Sequence, residues 1–337
     1  MIHGLNGAGK TNVLDAIYCL ATAKSYFGVP DLKLITHGSN FYRIEGRLNR
    51  DSQEVRLVNK YERGKKKVVE KNGKAYDRLS DHIGTMPVVM ITPDDLILVN
   101  GLSQDRRRFV DQALAQTDHT YLNHLVDYKR LLKQRNVVLK TLVNPDHMLL
   151  DSYDARMAPS ALYITSKRKV FIDNFRPQLE VFYHWIAQVD EQVDVKYLPS
   201  LDEKDYIEAS QESRKRDIFL KRTETGPHKD KIEFYLGPRA FRMFGSQGQK
   251  KNLVLAMKLA QHHVLSAQLH LPPLILLDDL FDRLDHQRVK RLIDLILKSN
   301  FGQILITDTR LSRIENILGS QPINAIELTK STSNEEE

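Results

Sequence analysis

Eight residues near the start constrain this chain more than any others. Gly4-Leu5-Asn6-Gly7-Ala8-Gly9-Lys10-Thr11 has the spacing G-x-x-x-x-G-K-T, and Val13, Leu14, Ile17 and Leu20–Ala21 then recur at helical intervals. A glycine-rich turn that opens a helix has a definite use. Glycines let successive backbone N–H groups curl around an anion, and the helix N-terminus adds the positive end of its dipole. The lysine and hydroxyl at the last two positions suit a nucleoside triphosphate: Lys10 to reach its β- and γ-phosphates, Thr11 to bind Mg²⁺. ATP with Mg²⁺ is therefore the expected ligand of Gly4, Leu5, Asn6, Gly7, Ala8, Gly9, Lys10 and Thr11. Such a loop ordinarily follows a buried strand, and here only Met1–His3 precede it. The expectation is that the first strand or strands are missing and that nucleotide binding suffers.

A second stretch complements the loop. Leu274-Ile275-Leu276-Leu277-Asp278-Asp279 reads as an apolar strand ending in two carboxylates. Asp278 is placed to hold the Mg²⁺ shell, and Asp279 to orient or deprotonate an attacking water. Lys10 and Asp279 are thus the expected catalytic residues, with Thr11 and Asp278 on the metal.

A third motif selects the class. Ser246-Gln247-Gly248-Gln249 stands just before a helix that leads straight into the acidic strand. This order is the arrangement of ABC-type ATPases. There, Ser246, Gly248 and Gln249 would present a hydroxyl and a helix N-terminus to the γ-phosphate held by a second copy. Two chains would sandwich two ATP molecules. Leu280-Phe281-Asp282-Arg283-Leu284-Asp285 resembles a D-loop, with Asp285 facing the partner's site. Thr307-Asp308-Thr309 stands where a switch histidine is usual.

The rest of the pattern fits a split α/β domain. From 41 to 91 it is β-like, with Asn72-Gly73 as a hairpin turn and Pro87–Ile91 as a buried strand. From 100 to 220 it is mostly helical, notably over 104–143 and 160–190, and Asp202–Arg222 is highly charged and expected to be exposed. Strand signals return at 231–236, 274–277 and 303–307, between helices at 248–269 and 286–299. The expected fold is an ABC-type P-loop ATPase head with a helical insertion. Its ATPase lobe takes residues 1–97 and 225–328, its helical lobe 98–224, and a disordered tail 329–337.

Lys and Arg number 50 against 43 Asp and Glu, a net charge of +7, which favours a polyanionic partner. Candidate phosphate contacts are Lys65-Lys66-Lys67, Arg106-Arg107-Arg108, Lys129-Arg130 with Lys133 and Arg135, and Arg214-Lys215-Arg216. The arginines at 106–108 precede an apolar helix and have internal pairing as their alternative. No zinc spacing or groove-reading motif is present, so DNA binding is expected without sequence readout. No apolar run approaches the roughly 18 residues that would span a bilayer. The single cysteine, Cys19, cannot form an internal disulfide and reads as core filler in a reducing, cytoplasmic compartment.

Several blocks together resemble the RecF family. They are Thr11-Asn12-Val13-Leu14-Asp15-Ala16-Ile17-Tyr18, Lys24-Ser25-Tyr26-Phe27, Pro93-Asp94-Asp95-Leu96 with Gly101, and Arg106-Arg107-Arg108-Phe109-Val110-Asp111. Tyr128 through Asn136, Thr225-Gly226-Pro227-His228-Lys229-Asp230 and Arg242 through Lys251 complete the set, in order along the chain. The resemblance implies an SMC-like head without a long coiled coil. It implies a weak, DNA-stimulated ATPase that dimerises with ATP and binds single-stranded or gapped DNA. It further implies help in loading the recombinase RecA together with RecO and RecR, and a part in SOS induction. The sequence departs from the family at its start, where about two strands are usual, and at Arg283, where an acidic residue is common. The segment at Pro93 lacks the glutamine of a transporter Q-loop. A catalytically impaired ATP-binding scaffold is the alternative these departures leave open.

Overall fold

The computed structural model describes residues 1–50, 53–142, 146–201, 205–279, 286–298, 301–318 and 323–329. The chain divides into two compact units. The first holds Met1–Asp95, Trp185–Ala187 and Gln261–Glu337; the second holds Leu96–His184 and Gln188–Ala260.

A five-stranded parallel sheet organises the first unit, in the order Ile326–Glu327, Ile2–His3, Ile304–Asp308, Leu274–Leu277, Val88–Ile91. Val88–Ile91 and Ile275–Leu277 are buried throughout, as parallel strands covered on both faces must be. Ile2–His3 pairs with Thr307–Asp308 on one side and Ile326–Glu327 on the other. A strand of two residues therefore runs into the loop. Two residues suffice because strands on both sides fix the register, with Ile326 N–H donating to Met1 O at 2.8 Å and Leu328 N–H to His3 O at 2.8 Å. Gly4 follows with φ +152°, and a Cβ there would lie 2.3 Å from Leu328 O. Only glycine passes this corner.

The loop helix, Lys10–Thr22, buries Leu14, Tyr18, Leu20 and Ala21 against Ile2, Met86, Val88, Met90 and Leu276 of the sheet side. Its last turn also lies on an antiparallel sheet formed by Phe41–Arg50, Gln53–Glu62, Val68–Lys71 and Lys74–Ala75. A Cβ at Gly46 would stand 2.4 Å from Leu20 Cδ2, so the glycine lets helix and strand close up. Asn72 and Gly73, at φ +51° and +80°, make the tight turn that joins the two shortest strands. Cys19 is buried, and burial pushes its thiol up to about 12, so it packs rather than reacts.

Most of the second unit is helical: Ser103–Thr117, His119–Thr141, most of His147–Ala187, and Tyr206–Leu220. The run expected over 104–143 is broken at Asp118, whose carboxylate accepts Tyr121 N–H at 2.8 Å and caps the second helix. The helix expected over 160–190 begins earlier, at His147, and carries Pro159 and Pro177 within it. A strand, Val193–Leu198, lies inside the stretch expected to be helical. It exists because it pairs along its whole length with Lys231–Leu236. Residues 225–260 cluster with the second unit. Arg106 Nε–H donates to Ile232 O at 2.5 Å and Arg107 to Asp230 O at 2.6 Å, fixing the strand to the Ser103–Thr117 helix.

These arginines are thus internal, and so are others expected to meet phosphate. Arg135 is fully buried on Asp154 and Asp217, and Arg214 is buried on Asp151 and Asp154. Lys67 donates to Ala23 O at 2.8 Å and pairs with Asp31. Burial of Arg214 and Asp217 also corrects the view of 202–222 as a simply exposed segment; residues 202–204 lie outside the described residues. The tail from 330 onward, expected to be disordered, lies outside them as well. No helix among the described residues is long and apolar enough to cross a membrane.

His228, half-buried, and His262, buried, give the fold an acid limit. His228 Nε2–H donates to Thr223 O at 2.9 Å while Nδ1 accepts from Tyr128 Oη at 2.7 Å; His262 Nε2–H donates to Pro273 O at 3.0 Å. Burial pushes both down to about 4. Between about pH 6.5 and 4 the unfolded chain takes up protons that the folded chain refuses, so stability falls as pH falls through that window. From pH 7 to 5 each histidine is expected to cost on the order of 2 kcal/mol. Urea midpoints measured across that range, with and without His228→Gln and His262→Gln, check this. A doubly substituted chain as acid-sensitive as the parent would rule it out.

Candidate nucleotide-binding site

Three glycines of the loop, Gly4, Gly7 and Gly9, hold positive φ, and Ala8 N–H closes a turn on Leu5 O at 3.1 Å. Gly9 immediately precedes the helix at φ +93°, and a Cβ there would stand in open space. Its requirement is therefore conformational, not steric. Leu5, Asn6 and Gly7 are exposed, with Ala8 and Gly9 half-buried, so the backbone of the turn faces outward. The N–H groups of the first helical turn have no carbonyl of the same helix to bond, which leaves them as donors for an anion. Lys10 is the first helical residue and is buried. Its ammonium donates to Gly4 O at 2.8 Å and Leu5 O at 3.1 Å, which holds it over the loop.

Across the sheet, the parallel register sets Leu277 beside Ile306 and so brings Asp278 to Thr307. Asp278, buried at 4% exposure, accepts Thr11 Oγ1–H (2.9 Å to Oδ2, 3.0 Å to Oδ1) and Thr307 Oγ1–H at 2.8 Å on Oδ1. Thr307 Oγ1 in turn accepts Asp279 N–H at 3.0 Å. Asp279 sits in the left-handed region at φ +46° and is half-buried. The loop threonine and the Asp278 carboxylate therefore meet, and the Asp279 backbone is tied to the same Thr307 hydroxyl. One carboxylate and one hydroxyl form a partial shell of the kind Mg²⁺ uses when phosphates and water complete it. Among the described residues no set of three His, Cys, Asp or Glu side chains could form a full protein cage.

Four further residues were not legible as site residues. Thr307 was notable in the sequence only for not being histidine; its position at the end of a strand beside the acidic one was the available signal. Asp15, one turn after Thr11, accepts Ser25 Oγ–H and Tyr26 N–H, both at 2.7 Å. Burial raises its carboxyl, with the Asp278 charge a smaller contribution in the same direction. Tyr26 Oη–H also donates to Asp95, whose other oxygen accepts Thr92 N–H at 2.7 Å. The Lys24–Phe27 and Pro93–Leu96 blocks thereby brace the loop helix.

In the second unit, Ser246 is exposed at the head of the helix Gln247–Leu269. Gln249 N–H donates to Ser246 Oγ at 3.2 Å, and Ser246 N–H donates to Gln249 Oε1 at 2.7 Å, a reciprocal cap. Ser246 and Gln247 are exposed, and Gly248 and Gln249 are half-buried. Leu280–Asp285, with Arg283 and the D-loop assignment of Asp285, lies outside the described residues.

A phosphate loop on a parallel sheet, an acidic strand beside it and a serine-capped helix in a second unit define an ABC-type P-loop ATPase head. Residues 1–332 match the RecF/RecN/SMC N terminal domain. The chain is 40% identical to the DNA replication and repair protein RecF of Flavobacterium johnsoniae, over 94% of this chain and 89% of that one. It is 40% identical to RecF of Porphyromonas gingivalis, over 94% and 87%. It belongs to the RecF family of DNA replication and repair proteins. Among solved structures it is similar in fold to the recombination mediator protein RecF-ATP of the RecFOR pathway, with a TM-score of 0.88 at 24% identity over 98% of this chain and 89% of that one. The Smc head domain of Pyrococcus furiosus is more distant, at a TM-score of 0.53 and 15% identity over 98% and 87%.

Proposed function

We propose that this chain is an ATP-dependent DNA-binding protein of recombinational repair and replication that works as an ATP-gated clamp. The observation that carries this reading is the bond from Thr11 to Asp278, which joins the phosphate loop and the acidic strand into one site. Lys10 spends two of its three N–H donors on loop carbonyls and turns the third to the β- and γ-phosphate oxygens. Thr11 and Asp278 hold Mg²⁺. Bound Mg²⁺–ATP supplies the anhydride that is cleaved. Asp279, on a turn pinned by Thr307, orients the attacking water and takes its proton at the carboxylate. Ser246, Gly248 and Gln249 close over the triphosphate of a second copy, so the homodimer forms when nucleotide is bound.

The names of the relatives support DNA as the substrate, and the RecFOR neighbour supports RecO and RecR as partners in placing RecA on gapped or single-stranded DNA. SOS induction and a cytoplasmic setting follow from that role. The exposed members of the basic runs are Lys65, Lys66, Arg108, Lys129, Arg130, Lys133, Lys215 and Arg216. They are the side chains placed to meet DNA phosphates, without sequence readout.

Light scattering with and without ATP and Mg²⁺, beside retention on gapped DNA, tests the clamp. The expected result is a dimer and salt-resistant retention only with nucleotide; identical behaviour in both conditions overturns it. Asp279→Asn is expected to keep the ATP-dependent dimer and lose turnover by about 100-fold or more. Normal turnover in that variant would remove Asp279 from the chemistry.

A further inference from the structure

The serine-capped turn is held from behind by a residue that no motif contains. Gln249 is the centre of the arrangement. Its Oε1 accepts Ser246 N–H at 2.7 Å, so its Nε2 must face the other way. There it donates to Glu191 Oε1 at 2.7 Å. The second oxygen of that carboxylate accepts Tyr183 Oη–H at 2.7 Å. Tyr183 is 0% exposed and packs edge-on against Phe241, with ring centroids 6.0 Å apart. A hydrogen-bonded line therefore runs from a buried ring through Glu191 and Gln249 to the backbone of Ser246, all within the second unit.

The anchor itself is fixed. Glu191 lies between Gln188, which ends the long helix in the left-handed conformation, and the strand that starts at Val193. Gly237 N–H donates to Gln192 O at 2.7 Å, pinning the neighbouring residue. A half-buried glutamine on the first turn of a helix otherwise has several rotamers to sample. Bonding both ends of its amide selects one, and that ordering cost is met before any partner arrives.

We propose that Glu191 is a positioning residue. It holds Gln249, and through it the Ser246 turn, in the conformation that meets the triphosphate gripped by a second copy. This rests on the clamp reading. The role needs a hydrogen-bond acceptor toward Gln249 and a partner for the Tyr183 hydroxyl. It does not need the negative charge, which opposes an incoming phosphate. Glutamine at 191 satisfies both bonds: its oxygen accepts from Gln249 and its amide donates to Tyr183 Oη.

The full chain carrying Glu191→Ala, Glu191→Gln, Tyr183→Phe or Ser246→Arg tests this. Dimerisation is followed by sedimentation with ATP and Mg²⁺, and nucleotide affinity by a fluorescent ATP analogue at protein concentrations where the chain is monomeric. Glu191→Ala is expected to weaken ATP-dependent dimerisation by roughly 10- to 100-fold, because each dimer holds two such sites, each losing a bond to a charged group. Monomer affinity for the analogue stays within about twofold, since the loop lies in the other unit. Glu191→Gln restores dimerisation to the parent level, and Tyr183→Phe, which deletes one hydroxyl, falls between. Glu191→Ala dimerising like the parent overturns the proposal. So does equal impairment of the Ala and Gln variants, or a parallel loss of monomer nucleotide affinity. Ser246→Arg separates the two ideas. If it blocks dimerisation while Glu191→Ala does not, only the positioning role falls; if it dimerises normally, the clamp reading falls and takes this one with it.

Discussion

Lys10→Met is expected to abolish ATP-dependent dimerisation and DNA retention, and to lower turnover by about 100-fold or more. Methionine has nearly the length of lysine and leaves the loop glycines and the Thr11–Asp278 bond in place, so the variant should fold. What it removes is the ammonium that bridges Gly4 O and Leu5 O. Two losses combine. Each charge-assisted hydrogen bond is worth about 1.5–3 kcal/mol, so nucleotide grip weakens by roughly 10- to 150-fold. Charge developing on the phosphates during cleavage then has no buried cation to meet, a penalty on turnover beyond the loss in binding. The check is nucleotide affinity, sedimentation and steady-state turnover on one preparation, with circular dichroism as the folding control. If Lys10→Met dimerises with ATP and holds DNA as the parent does, the loop is not the grip and the clamp has another basis.

Much of this site could be read from the sequence because its parts are local. The loop is eight consecutive residues, and the acidic strand is six. Burial of Ile275–Leu277 was visible as an unbroken apolar run, and the serine-capped helix as a small polar tetrapeptide ahead of a helical period. What could not be read depends on pairing between distant segments. Thr307 acquires meaning only through the register that sets Ile306 beside Leu277. The strand Val193–Leu198 has a helix-rich neighbourhood, and only its partner at Lys231–Leu236 makes it a strand. Glu191 belongs to no pattern at all, since it acts through Gln249, which lies beyond the strand Val193–Leu198, the helix Tyr206–Leu220 and the strand Lys231–Leu236. The basic runs misled for the opposite reason. A run such as Arg214-Lys215-Arg216 looks like a uniform charged face, yet helical geometry sends Arg214 inward to Asp154 and leaves the other two outside.

The buried arginines provide the second large effect. Arg135 is 0% exposed, with Nε donating to Asp154 at 2.8 Å and Nη1 to Asp217 at 2.7 Å and Thr223 Oγ1 at 2.9 Å. Replacing it by methionine, of similar length, leaves two buried carboxylates with one guanidinium, Arg214, which reaches only Asp154 among the two. Breaking a buried pair from one side costs about 3–5 kcal/mol, because the orphaned charge stays desolvated. Arg135→Met is therefore expected to lose that much stability by urea denaturation. Burial already raises the Asp217 carboxyl, and Arg135 is the first influence that lowers it again. Without the arginine, the folded chain binds a proton at Asp217 more readily than the unfolded chain does. The deficit relative to the parent should accordingly shrink as pH falls from about 7 toward 5. Adding Asp217→Asn to Arg135→Met removes the orphaned charge and should recover part of the loss, which a double-mutant cycle would measure. The same burial predicts that salt dependence of DNA binding is unchanged at temperatures where Arg135→Met is folded, since a guanidinium shut away from solvent displaces no counterions. A variant within about 1 kcal/mol of the parent, or one that lowers the salt slope while fully folded, would place Arg135 on the DNA after all.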